Sequence, residues 1–72
     1  MDFQERISQL AEVEFPGCAV LFDDLPGDQY RMRIESSNGR MISKIYPLFK
    51  PADIDAKSDD EVRAFIRETC GK

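Results

Sequence analysis

The chain has 72 residues, a formal net charge of −4, 42% hydrophobic and 33% charged residues, and no histidine. That length allows one small domain, 1–72, and the apolar content excludes a disordered chain. Two cysteines are too few for a disulfide-stapled secreted mini-domain. The longest apolar run, Cys18–Phe22, is far too short to cross a bilayer, and the amino terminus carries no signal-peptide pattern, so a cytoplasmic protein without a membrane partner is expected.

Asp2 followed three residues later by Glu5 is a capping-box pattern, and Phe3, Ile7, Leu10 and Ala11 fall on one face of a helix. The helix should end near Val13 or Glu14, because Phe15 precedes Pro16 and a residue before proline is pushed out of the α region. Pro16-Gly17 turns the chain into a short apolar strand, Cys18–Phe22. A loop, Asp23–Asp28, with Pro26-Gly27 at its centre, follows, and a second strand starts near Gln29.

From Tyr30 to Tyr46 two alternating runs meet at Asn38-Gly39, the strongest short-range signal for a hairpin with a type I′ turn. A two-residue turn there pairs Ser37 with Arg40, Arg33 with Lys44 and Arg31 with Tyr46. One face then holds Tyr30, Met32, Ile34, Met41 and Ile45 as core. The other holds Arg31, Arg33, Glu35, Ile42, Lys44 and Tyr46. A slip of one residue would exchange the faces, so the apolar set pins this register.

Pro47 and Pro51 end the strand, and Leu48–Ile54 reads as irregular chain or one helical turn, with Leu48, Phe49 and Ile54 over the core. Ser58 and Glu61 form a second capping box. Val62, Phe65, Ile66, Thr69 and Cys70 make the apolar stripe of a last helix, which Gly71 stops. The expected fold is α+β, α-β-β-β-α: a three-stranded antiparallel meander with both helices on one face and the other face open.

Little catalytic chemistry is on offer. Without histidine the commonest acid–base group at neutral pH is missing, the cysteines lack zinc spacing, and no Gly-rich phosphate loop is present. Asp23, Asp24 and Asp28 read as a solvated turn, without the spacing of a calcium loop. Hence no enzyme, cofactor or metal is expected.

Charge distribution is more informative. Residues 31–50 hold five basic side chains and one acidic, a surplus of +4, while the remainder carries −8. The expected binding surface is the open face with Arg31, Arg33, Arg40, Ile42, Lys44 and Tyr46, since arginine and tyrosine around an apolar centre are enriched in interfaces. An acidic or mixed protein surface is the expected partner, with weak homodimerisation on so small a core.

Two alternatives compete: a nucleic acid held on the same basic residues, and an acidic body that mimics nucleic acid to occupy a basic protein. In element order and length the chain resembles double-stranded-RNA-binding domains. That family reads phosphates with a lysine cluster at the start of its last helix. Here the matching position is Ser58-Asp59-Asp60-Glu61, so the family's function and binding residues are not carried over.

Overall fold

The computed structural model describes residues 2–71. Its elements are α1 (Phe3–Glu14), β1 (Ala19–Leu25), β2 (Gln29–Glu35), β3 (Leu48–Phe49), α2 (Pro51–Asp55) and α3 (Asp59–Thr69). The sheet is antiparallel in the order β1-β2-β3, and the helices cover one face. The expected α+β architecture is present, with the single helical turn after β3 realised as α2. No helix among the described residues is long and apolar enough to cross a membrane.

Local signals account for the helix ends. The Asp2 carboxylate accepts the Glu5 N–H at 2.8 Å. Ser58 and Glu61 form a reciprocal capping box, the Ser58 N–H donating to Glu61 Oε1 at 3.0 Å and the Glu61 N–H to Ser58 Oγ at 3.2 Å. These bonds, Ser58's backbone donation foremost, hold the Glu61 carboxyl below its usual pKa.

The core joins Ile7 and Ala11 of α1, Met32 and Ile34 of β2, Phe49 of β3, Ile54 of α2, and Val62, Ile66 and Cys70 at α3. Five rings cluster at one end. Phe3 lies 4.8 Å from Tyr30 and 5.8 Å from Phe22 between centroids, and Phe49 meets Phe65 edge-on at 5.9 Å. Thr69, buried in the stripe of α3, donates its hydroxyl to the Phe65 carbonyl.

Two polar clamps lock the helical layer. Arg6 on α1 donates to the carbonyls of Ile54 and Lys57 at 2.7 and 2.6 Å and to Asp59 Oδ1 at 2.9 Å, tying α1 to the α2–α3 connection. Glu14 at the other end of α1 accepts from Arg63 Nε and Arg67 Nη1 of α3. The Arg63 bond is the main reason its carboxyl sits below the ordinary pKa, with Arg67 adding to it. No disulfide joins Cys18 to Cys70.

The chain after β2 departs from expectation. Gly39 alone in the turn has positive φ, +82°. Its N–H donates to the Ser36 carbonyl at 2.9 Å, and the Ser36 N–H donates to the Arg40 carbonyl at 2.7 Å. This is a three-residue loop, Ser37-Asn38-Gly39, with glycine in the left-handed position, not a type I′ turn. Asn38 uses its side chain here, accepting from the Ser36 hydroxyl and the Arg40 N–H. The extra loop residue moves the register by one, so that Glu35 pairs with Met41.

That slip exchanges the two faces of the second arm. Met41 and Ile45, expected in the core, are 36% and 54% exposed. Ile42, expected on the open face, packs against the core.

The arm then leaves the sheet altogether. Six residues, 42–47, stand opposite three, 32–34, before pairing resumes at Arg31–Leu48 and Tyr30–Phe49. Within this excursion the N–H groups of Lys44 and Ile45 both donate to the Thr69 carbonyl at 2.6 and 3.2 Å. A helix leaves its last carbonyls without partners, and here the excursion supplies them. The stem of Lys44 lies against Gly71, where a Cβ would come 2.8 Å from Lys44 Cγ. Ser43 turns inward, and its Oγ takes the place of a strand carbonyl by accepting the Ile34 N–H at 3.3 Å. So the expected strand through 40–46 is a capping loop, and β3 begins only at Leu48.

Candidate open-face binding surface

The uncovered side of the sheet is built by alternation along two full strands. β1 contributes Ala19, Leu21, Asp23 and Leu25; their register partners on β2 are Glu35, Arg33, Arg31 and Gln29. β3 adds Leu48 beside Arg31. Tyr46, in the excursion just before β3, is 50% exposed, against 59% for Leu48.

At the centre sits Asp23. One oxygen accepts from Arg31 Nε at 2.9 Å and Arg33 Nε at 3.0 Å, and the other accepts from Arg33 Nη2 at 3.0 Å. Arg33 thus grips the carboxylate with two nitrogens, the geometry in which an arginine–carboxylate pair is most directional. The Arg31 bond above all, then Arg33, keeps the Asp23 carboxyl below its ordinary pKa. Two arginines on one carboxylate leave a surplus of one positive charge, and Glu35 on the same face offsets it. The open face is close to neutral.

The six residues expected to form one basic surface are therefore dispersed. Arg31 and Arg33 lie on the open face but are bound to Asp23. Arg40 is exposed beyond the loop at Ser37–Gly39. Ile42 belongs to the core margin, and Lys44 sits at the carboxyl end of α3, where a cation complements the helix dipole. Tyr46 is exposed in the excursion at 42–47, outside the sheet that carries the two arginines. The expected Arg33–Lys44 contact does not form, because Arg33 pairs with Leu21 and Lys44 is outside the sheet.

Asp23, Leu21, Leu25 and Leu48 are the members that the sequence reading missed. The sequence puts Asp23 and Leu25 in a loop, Asp23–Asp28, centred on Pro26-Gly27, whereas β1 runs on through Leu25. Counting outward from Pro26-Gly27 with β2 starting at Gln29 pairs Leu25 with Gln29 and Asp23 with Arg31, and that signal was available.

Away from this face, a groove of about 470 Å³ opening to solvent lies between α2 and α3 beside β3. Leu48, Phe49, Ile54 and Phe65 line its apolar part and Asp53, Lys57 and Glu61 its polar part. Those polar groups are engaged: Asp53 and Glu61 accept from the Lys50 and Ser58 N–H groups, and the Lys57 ammonium lies 5.8 Å from the Phe65 ring centre. Compared with protein-family models, curated proteins and solved structures, the chain matches none.

Proposed function

We propose that the chain is a small, non-enzymatic binding domain of the cytoplasm that docks a protein partner on the open face of its sheet. The observation that carries this reading is the one-sided layering: helices cover one face only, and the other displays Leu21, Leu25 and Leu48 around the Arg31–Asp23–Arg33 cluster, with Tyr46 exposed just before β3. Apolar side chains with tyrosine and arginine at the centre are what protein interfaces concentrate. Holding both guanidiniums on Asp23 before binding lowers the ordering cost that flexible arginines would add. Two cysteines without a bridge between them accord with a reducing compartment.

A near-neutral face fits a partner surface of mixed apolar and polar character. It fits a long polyanion poorly, since affinity for nucleic acid depends on uncompensated cations and the two central ones here are compensated.

The test is a photo-crosslinking residue placed at Leu48, on the open face, or at Gln9, on the exposed side of α1. A partner species should be captured from Leu48 only, and Tyr46→Asp with Leu25→Asp should abolish capture while leaving the fold intact. The same species captured equally from Gln9, or retained by the folded double variant, refutes the reading. A gel shift with mixed DNA and RNA at low salt should show no retardation.

A further inference from the structure

β1 is the outer strand of the sheet, and hydrogen bonds elsewhere reveal which of its backbone groups point outward. In an antiparallel ladder a residue's N–H and C=O point the same way, and alternate residues point to opposite sides. On β2, the Ile34 carbonyl accepts from Ile42, and the Met32 N–H donates to the Pro47 carbonyl. The even-numbered residues of β2 therefore bond away from β1, and Arg31, Arg33 and Glu35 bond toward it. Their partners are Asp23, Leu21 and Ala19. Val20, Phe22 and Asp24 are left directing their backbone groups to the outside, and no backbone bond from another segment reaches them among the described residues.

This edge is unusually open. Strand edges are commonly guarded by proline, lysine or a covering segment. β1, Ala-Val-Leu-Phe-Asp-Asp-Leu, has neither residue; its only charges, Asp23 and Asp24, fall in its last three positions, and none of its seven positions is buried.

We propose that a second copy of this chain pairs along β1, antiparallel to it, about a two-fold axis through Phe22. The strand's own pattern selects this occupant and this register. Centred on Phe22, the outward residues meet one another: Val20 faces the partner copy's Asp24 and Phe22 faces its equivalent, each such pair exchanging two backbone bonds. All of Ala19–Leu25 is used. Asp23 falls opposite Leu21, so no acid confronts an acid. Shifting the centre to Asp23 sets two aspartates face to face, and shifting it to Leu21 leaves Leu25 beyond the strand's start. Because even residues meet even residues, both helical layers stay on the same side and the two sheets become one.

Contact along a single strand edge falls below the roughly 1,200 Å² of a standard interface, so the dimer is weak. With a Kd of about 0.1 mM, about one fifth of the chain is monomeric at about 1 mM. Amide exchange read by NMR at about 10 µM and 1 mM should therefore slow about fourfold at Val20, Phe22 and Asp24, while Leu21 and Asp23 stay protected at both concentrations.

Two variants test the register by sedimentation, both on the open face and clear of the core. Leu21→Asp sets an acid against the partner copy's Asp23 and should shift the chain to monomer. Leu21→Lys sets a base there and should preserve or strengthen the dimer. The proposal is overturned if exchange at the three outward amides does not depend on concentration, or if the two variants shift association alike.

Discussion

Replacing Ser43 by alanine removes the oxygen that stands in for a strand carbonyl. Ser43 is 7% exposed, and its Oγ accepts the N–H of Ile34, a residue with no exposed surface near the end of β2. Among the described residues no other bond reaches that N–H, since pairing on this side of β2 is interrupted between Met41 and Leu48. A buried donor left without an acceptor costs about 1–3 kcal/mol, far more than the loss of a bond at the surface. In a domain of this size each kcal/mol moves the melting temperature by roughly 4–8 °C, so Ser43→Ala should melt on the order of 5–20 °C below the parent. Ser37→Ala, in the exposed loop, should stay within about 0.5 kcal/mol. Urea unfolding with an unchanged slope is the assay, because a changed slope signals an altered denatured state and not a lost bond. A Ser43→Ala protein as stable as Ser37→Ala would show that the excursion at 42–47 does not depend on this bond.

Arg6→Ala should destabilise by about 2 kcal/mol in the same assay, because it strands the carbonyls of Ile54 and Lys57 beside α1; an unchanged midpoint counts against the clamp. The depressed carboxyls of Glu14, Asp23 and Glu61 set the pH dependence. Each binds protons less readily folded than unfolded, so their stabilisation is full above the ordinary carboxylate range and is lost as pH falls from about 4 through their lower folded values. Thermal melts from pH 7 to pH 2 should show stability flat to about pH 5 and falling below it, with the fall reduced in Asp23→Asn. Burial, with Glu12 adding to it, raises the Cys18 thiol's pKa, so alkylation at pH 7 should be slower than for a free cysteine. Reaction at the free rate would place Cys18 in open solvent.

The open face was half legible. Alternation along Gln29–Glu35 put Arg31 and Arg33 on one side and Met32 and Ile34 on the other, as the structure has them. The +4 surplus of residues 31–50 does not make this face basic, because charges close in sequence are not the ones that meet in space. Asp23, which neutralises both arginines, is eight and ten positions away and reaches them through the hairpin.

Sequence alone determined the features whose causes lie within a few residues: both capped helices, their apolar stripes, the Pro26-Gly27 turn and β2. In each, the cause lies within about four positions of its effect, so the pattern and its effect share one window. The path of 40–47 was decided only in three dimensions. Asn38-Gly39 serves a two-residue turn and a three-residue loop alike, and the choice between them moves every following side chain to the other face. What selects the loop lies about 25 residues further on: the carbonyl end of α3, whose Thr69 oxygen draws Lys44 and Ile45 out of the sheet. A strand pattern can be read from its own residues, but the competing acceptor that diverts it belongs to another part of the chain.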